Sequence, residues 1–306
     1  GVGGGHHIIT FARPEMGKCL ALGTEVLMAD GTVRKVEDVA DGDYVAGVTG
    51  PRLVSGTTRG TAPMYRVSYP WGDSYVVNDE HILSLKRSKV ESGHKYGDIL
   101  NVPVKEYIRW PEGRKARYKG WKTGQEYPVK DLPMSPYLLG LWLGDGTTNK
   151  PSITTTDQEV LEAFTSEYGS YTSVEGGITY GFWKTRMLED MKAAGVYGHK
   201  HIAATYLTSS RQQRLELLAG IIDSDGHLCR GSTGYEVVTK SEVLKDGYVH
   251  LVRSLGFHAT SNKVFKKAVG TADEGDWYWR VYVGAEAIGE VPVRLDRKKG
   301  VRHPSP

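Results

Sequence analysis

The sequence predicts an α+β protein in two parts: a β-rich front and a back half built as a pseudo-two-fold body. Three observations carry this. Short apolar, β-branched runs at 25–28, 32–36, 44–48, 65–69 and 74–77 are punctuated by turn dipeptides such as Asp30-Gly31 and Asp41-Gly42. An apolar segment ending in Asp-Gly occurs twice, as LLGLWLGDG (138–146) and LAGIIDSDG (218–226). Matching text follows each copy, ITTTDQEVLEAFTSEYG (153–169) and VVTKSEVLKDGYVHLVRSLG (237–256). Both stretches read as a strand, a Thr, Ser or Asp helix start and an amphipathic helix. The back half is therefore a duplicated helix–strand–strand–helix unit, whose matching residues meet near an axis.

The bulk numbers fit this plan. A chain of 306 residues can bury two cores, and 39% hydrophobic with 25% charged residues is ordinary for a globular protein. No apolar run reaches the roughly 18 residues of a membrane span, and no signal-peptide layout opens the chain. A cytoplasmic protein with no membrane partner is expected. Two cysteines, Cys19 and Cys229, are too few for a disulfide framework or a zinc cluster; Cys229 reads as structural. Between Lys86 and Lys130 stand twelve Lys or Arg against five Asp or Glu, with Tyr107, Trp110, Tyr118 and Trp121 interleaved. That pattern suits a phosphate backbone. Residues 86–131 are expected to form a basic linking region that contacts DNA through Arg114, Lys115, Arg117 and Lys119. An ordinary solvated loop with packed aromatics fits it equally well.

The two Asp-Gly segments carry the chemistry. Pro136 suits a first helical turn. Gly140, Gly144, Ala219 and Gly220 lack bulk, so two helices could approach backbone to backbone. Gly146 and Gly226 are placed to end each helix in a left-handed cap. Asp145 and Asp225 would then lie side by side at two helix C-termini, where like charges repel and a divalent cation relieves the conflict. Oxygen-only ligands favour a hard ion such as Mg²⁺. One Asp-Gly after an apolar run is usually a turn beside a core helix; two matched copies in a duplicated unit are not.

These residues resemble the LAGLIDADG homing endonucleases in their two-repeat, single-chain form, over about 132–306 with repeats near 132–210 and 211–306. The resemblance implies two αββαββα units whose antiparallel sheets form a saddle over the DNA major groove. It also implies cleavage across the minor groove, with Asp145 and Asp225 binding Mg²⁺ or Mn²⁺, assisted by the carbonyls of Gly144 and Ser224. Members of the family carry a lysine on each side that polarises the attacking water. Lys200, in GHKHIAA, fits the first, although Ala203 stands where Pro is usual. Lys299, in RKKGVRHP, fits the second, with Lys298 the fallback. The saddle strands are expected at 147–155, 171–183, 228–240, 258–267 and 277–283. Lys150, Lys184, Arg230, Lys240, Lys263, Lys266 and Arg280 are then the expected DNA contacts.

The front half begins CLALGTEVLMADGTVRKVEDVADGDYVAG. With SYVVNDEHILSL (74–85), it resembles the start of an intein, a protein-splicing element of the Hint fold, over about 19–85. The resemblance implies an N-to-S acyl shift. The Cys19 thiolate attacks the carbonyl of Lys18, and His81 of the Asn78-x-x-His81 block donates to the departing nitrogen. Residues 1–18 end in ARPEMGK, a phosphate-binding loop cut before its hydroxyl residue, and resemble the loop of DnaB-type helicases. They read as a host segment. The tail VRHPSP lacks the terminal His-Asn of a complete intein, so ligation is not expected on this chain alone, and a C-terminal intein partner is an expectation.

The leading expectation is a site-specific double-strand DNA endonuclease embedded in an intein, a monomer whose long target lies in the uninterrupted host gene. The alternative is an autoprocessing module whose endonuclease half is a degenerate DNA-binding relic.

Overall fold

In the computed structural model the described residues are 19–47, 49–69, 74–89, 95–174, 176–267 and 275–301. The host-like segment 1–18, with Lys18 and its loop, and residues 302–306 lie outside them. The chain divides into two compact units at Thr123–Gly124.

The first unit is β-rich, as its turn spacing predicts. Strand β1 (Glu25–Leu27) pairs with β2 (Val33–Lys35) through a turn in which Asp30 Oδ1 accepts from Thr32 N and Oγ1 at 2.9 and 2.6 Å. β3 (Tyr44–Gly47) pairs with β4 (Gly50–Leu53), and β5 (Met64–Ser68) with β6 (Ser74–Asn78). β7 (Ile82–Arg87) takes β8 (Ile99–Pro103) on one edge. Two short helices, α1 (Val104–Tyr107) and α2 (Glu112–Lys115), follow, and β9 (Tyr118–Lys119) closes the other edge of β7. Val77, Leu83, Leu85, Val102, Val104 and Trp110 form one small core; Val26, Met28 and Val45 form another. The basic stretch is thus no free linker up to Thr123: Lys86 and Arg87 sit in β7, and Trp110 is buried between Tyr107 and Tyr118, each 5.3 Å away.

The second unit contains the duplication. Its first repeat runs α3 (Pro136–Asp145), β10 (Ser152–Thr154), α4 (Gln158–Tyr168), β11 (Thr172–Ser173), β12 (Thr179–Gly181), α5 (Met187–Ala193) and α6 (Ala204–Leu207). The second runs α7 (Arg211–Asp225), β13 (Gly226–Leu228), β14 (Gly234–Thr239), α8 (Glu242–Ser254), β15 (Ala259–Lys266) and β16 (Asp276–Gly284). The antiparallel sheets are ordered β10-β12-β11 and β13-β14-β16-β15. β10, β12 and β11 correspond to β14, β16 and β15, and β13 has no full strand as its counterpart. Gly146 makes a single bridge to Ile153, where Gly226–Leu228 makes three rungs with Tyr235–Val237. The expected strand at 147–155 is accordingly short, and the expected runs 171–183 and 228–240 are each split by a turn.

α3 and α7 pack face to face at the middle of the core. The seam needs glycine: a Cβ on Gly140 would sit 2.3 Å from Leu217 O, and one on Gly220 2.1 Å from Tyr137 O. Leu139, Leu141, Trp142, Leu217, Ile221 and Ile222 around the seam are fully buried. Truncating such a leucine to alanine costs about 2–5 kcal/mol, and forcing a methyl into the seam about 1–3 kcal/mol.

The left-handed caps do not form. Gly146 has φ −79° and Gly226 φ −85°, both extended, because each helix runs straight into strand pairing. Glycine is required there for space: a Cβ on Gly146 would meet Trp142 Cδ1 at 2.1 Å, and one on Gly226 Ile222 Cα at 2.7 Å.

At the start of α7, Arg214 is fully buried, and its guanidinium is met by carbonyl and hydroxyl oxygens. Its guanidinium donates to Ser209 O (2.9 Å), Gln125 O (2.5 Å), and both Ser254 O and Oγ (2.8 and 2.7 Å). Burial holds its pKa down to about 10, still charged, and it binds the carbonyl end of α8, where a helix presents negative potential.

Candidate active site

α3 and α7 both end on an aspartate, and their close packing brings the two ends together. A Cβ on Gly144 would lie 3.2 Å from the Asp225 carboxyl carbon and 2.3 Å from Ser224 Oγ. Asp145 is half-buried; Asp225 is accessible but crowded by protein on its inner side. Burial, then the charge of Asp225, pushes the Asp145 carboxyl up to about 6, against the pull of Lys298 and Lys200. Burial also raises Asp225, with Lys200 and Lys298 opposing. Two carboxylates at the negative ends of two helices repel in this way unless positive charge is supplied.

Part of that charge comes from lysines placed alike in the two repeats. Lys200 Nζ donates to Gly144 O at 2.9 Å, the carbonyl preceding Asp145. Lys298 Nζ donates to Ser224 O at 2.9 Å, the carbonyl preceding Asp225, and to Ile222 O and Asp223 O at 2.8 and 2.6 Å. Burial lowers the pKa of both; the acids partly restore Lys200, and Asp223 and Asp145 partly restore Lys298. The carbonyls of Gly144 and Ser224, expected as metal ligands, thus accept from ammonium groups here.

Lys299, the expected second lysine, is exposed and pairs with Asp296 at 2.7 Å. Its neighbour takes the inward position because residues 294–298 are tethered on both sides. Asp223, 1% exposed, accepts from Arg294 N (2.7 Å), Leu295 N (3.4 Å) and Tyr137 Oη (2.8 Å). Arg297 clasps Asp157 with two bonds of 2.5 and 2.6 Å. Asp223 is the residue of this arrangement that sequence reasoning missed. Its signal was a charge inside an apolar helical run, at the place where the first copy has Leu143.

The second-repeat sheet has one face on α7 and α8 and one open. Tyr235, Val237, Val281 and Val283 are buried on the first; the register puts His227, Glu236, Arg280, Asn262, Tyr282 and Lys266 on the other. Arg280 Nε lies 3.5 Å from Glu236, and Lys240 pairs with Asp276 at 2.7 Å. Lys263 does not share the open face: it aligns with Trp279 and lies 5.0 Å over its ring, on the side where Lys245 of α8 approaches the same ring. Lys150, Lys184 and Arg230 are exposed outside the strands. In the first-repeat sheet the side opposite Ile153 and Tyr180 carries small groups, among them Thr154 and Thr179, with their hydroxyls 2.9 Å apart.

In the first unit, Cys19 lies along β6: Asn78 N donates to Cys19 O at 3.1 Å, and Leu20 bridges Val77. His81 N returns to Asn78 O at 3.3 Å. Cys19, Asn78 and His81 therefore share one end of β6, with Asn78 and His81 buried and Cys19 half-buried. Of the expected basic contacts, Arg114 and Lys119 are exposed, Lys115 pairs with Glu112 at 2.9 Å and Arg117 is half-buried. Arg114 stacks 3.8 Å over Trp110. Among the described residues, no helix is long and apolar enough to cross a membrane.

Two family models match the chain: Hom_end-associated Hint over residues 19–98, and Homing endonuclease over residues 202–288. The first model's span includes Cys19 and His81, and the second's includes Asp225. The chain belongs to the inteins that carry a homing endonuclease. This intein is similar to the replicative DNA helicase DnaB of Mycobacterium intracellulare, 30% identical over 277 residues, across 84% of the chain and 46% of that protein. It is 29% identical over 161 residues to the homothallic switching endonuclease of Saccharomyces cerevisiae, across 40% of the chain and 27% of that protein. The chain thus spans less than half the length of either relative. A crystal structure of I-DmoI in complex with DNA and Ca aligns with 52% of this chain and 88% of its own, at 12% identity and a TM-score of 0.34.

Proposed function

We propose that the intein's second unit is a site-specific endonuclease that cuts both strands of a long target in the uninterrupted host gene, as a monomer, with Mg²⁺ or Mn²⁺. The observation that carries this is the matched pair of acids at the ends of α3 and α7, each with a lysine on the carbonyl before it. The donor set fits a hard divalent ion: two adjacent carboxylates, one held up near 6 by burial and then by its neighbour, gain most from a shared positive charge. Asp145 and Asp225 would hold it, and the carbonyls of Gly144 and Ser224 each keep a second lone pair. When bound, such an ion acts as a Lewis acid on the phosphate and lowers the pKa of water.

The chain's own residues do the rest. Lys200 and Lys298 hold positive charge beside the two acids, where they balance charge developing on the phosphate and polarise the attacking water. Arg280, Lys266, Lys240 and Asn262 on the open sheet face present donors to base edges and phosphates, Lys150, Lys184 and Arg230 reach backbone from loops, and the hydroxyl face of the first repeat reads its half of the target. Lys263 at the sheet margin and Arg114, Lys115, Arg117 and Lys119 in the first unit add phosphate attraction. Neutralising those last four together should flatten the slope of log affinity against log salt by about 3 units. An unchanged slope removes that segment from the interface. The direct test is incubation with Mg²⁺ and a plasmid bearing the uninterrupted host gene. Linear product at one position supports the reading, and intact supercoiled plasmid under tight binding supports the relic.

A second activity is favoured by the meeting of Cys19, Asn78 and His81. The Cys19 thiolate attacks the Lys18 carbonyl, the Lys18–Cys19 amide bond breaks, and His81 delivers a proton to the freed nitrogen, leaving a thioester that water or added thiol opens. Slow loss of residues 1–18, accelerated by dithiothreitol and blocked in Cys19→Ala, is expected by intact-mass spectrometry. His81→Ala should slow it by about 10²–10⁴-fold. Equal loss from Cys19→Ala identifies proteolysis instead.

A further inference from the structure

The second cysteine has partners that its sequence neighbourhood does not reveal. β13 places His227 on the open side of the sheet and Leu228 toward the core, and Cys229 follows directly after the strand, two residues from His227. Glu236, on β14, is the cross-strand partner of His227, with Nε2 and Oε2 3.4 Å apart. The turn after β13 folds back so that Cys229 N donates to Gly234 O at 2.9 Å, and Tyr282 Oη closes it by donating to Thr233 O at 2.5 Å. One ligand atom from each of His227, Cys229 and Glu236 lies within 4.8 Å of the others.

We propose that His227, Cys229 and Glu236 form a second metal site, for a borderline-soft ion such as Zn²⁺, separate from the paired aspartates. The donor set selects the ion: thiolate and imidazole favour zinc over Mg²⁺ or Ca²⁺, which take oxygen. Zinc bonds of about 2.0–2.3 Å put tetrahedral ligands roughly 3.5 Å apart, so the three donors need to draw in by about 1 Å. His227 and Glu236 are side chains on adjacent strands with freedom to rotate outward. Three protein ligands leave a fourth position open toward the solvent side of the sheet, for water or a phosphate oxygen. Glu236 also holds Arg280 at 3.5 Å, so an ion that takes Glu236 competes with that pair and releases a guanidinium on the same face.

The experiment is a Co²⁺ titration of the full chain carrying Asp145→Asn and Asp225→Asn, which removes the oxygen site. The expected result is one Co²⁺ per chain with thiolate-to-cobalt charge-transfer absorption, displaced by Zn²⁺. It is lost in Cys229→Ser, weakened at least about tenfold in His227→Ala, and unchanged in Cys19→Ser. Without any substitution at the site, Zn²⁺ but not Mg²⁺ should slow iodoacetamide alkylation of Cys229, read by peptide mass. Absence of the charge-transfer band, its survival in Cys229→Ser, or alkylation of Cys229 indifferent to Zn²⁺ overturns the site. Failure here leaves the cleavage proposal standing, because the two rest on different ligands.

Discussion

The two repeats of the endonuclease unit reach the same arrangement by different supports. In the first, Lys200 makes one contact, to Gly144 O, and passes 5.4 Å from the Trp142 ring. In the second, Lys298 is buried on three carbonyls of α7, and the strand of chain that delivers it is bonded to Asp223. The first repeat has Leu143 where the second has Asp223. α7 begins with a capping box between Ser210 and Gln213, whereas Ser135 makes no side-chain cap for α3. The open sheet faces differ too, small hydroxyls in one and charged and aromatic groups in the other. What duplication kept is the position of an acid and an ammonium at a helix end. The further contacts that brace the lysines and start the helices diverged, as did the open sheet faces, which suits a target whose two halves differ in sequence.

That comparison can be broken most sharply at the lysines. Lys298→Met and Lys200→Met should each slow the cut of a different strand by roughly 10²–10⁴-fold, so that nicked plasmid accumulates, while Lys299→Met stays within about twofold of the parent because an exposed ion pair contributes little. Strand-labelled duplexes read both rates; equal slowing of both strands by one lysine variant contradicts the division of labour.

A smaller effect is expected at Asp223→Asn. An amide cannot accept from Arg294 N, Leu295 N and Tyr137 Oη together, so a buried donor is left unpaired at a cost of about 1–3 kcal/mol. Nicking should become unequal between strands, as for Lys298→Met but less severely. Thermal unfolding shifted without any change in strand ratio would make Asp223 a fold anchor only.

The smallest effect concerns pH. Asp145 is raised in the folded state to about 6 from an ordinary 3.8, so between those values the folded protein binds the extra proton. Stability of the metal-free protein therefore falls as pH rises through that window. Asp145→Asn escapes the loss. Discounted for the solvent reaching a half-buried group, it should be more stable above pH 6 by about 1–2 kcal/mol, and equal to the parent below pH about 4. Calorimetry at both pH values checks the sign; a variant less stable at high pH means the acid is held by a favourable partner instead.

Much of this was legible in the sequence, for identifiable reasons. The duplicated Asp-Gly segments and their glycines specify a close helix pair, since only that approach leaves no room for a Cβ at Gly140 and Gly220. The β-runs of the first unit follow from their turns. Lys298 and Lys299 could not be separated, because which of two adjacent lysines faces inward depends on Asp223 and Asp157, which are distant in sequence and close only in space. The cap geometry at Gly146 and Gly226 was misread because glycine at a helix end signals either a left-handed turn or crowding, and here Trp142 and Ile222 supply the crowding. Cys229 looked solitary because its neighbours are a strand residue two positions back and a residue on the next strand.

The central claim is that both acids work as one site serving two strands. Strand-resolved cleavage of the uninterrupted host-gene target by Asp145→Asn and by Asp225→Asn, in Mg²⁺ and with duplex binding measured alongside, tests it most directly. The account predicts no linear product from either variant while affinity stays within about tenfold of the parent, since an isosteric change leaves the sheet faces untouched. Linearisation at the parental rate by either variant would contradict it.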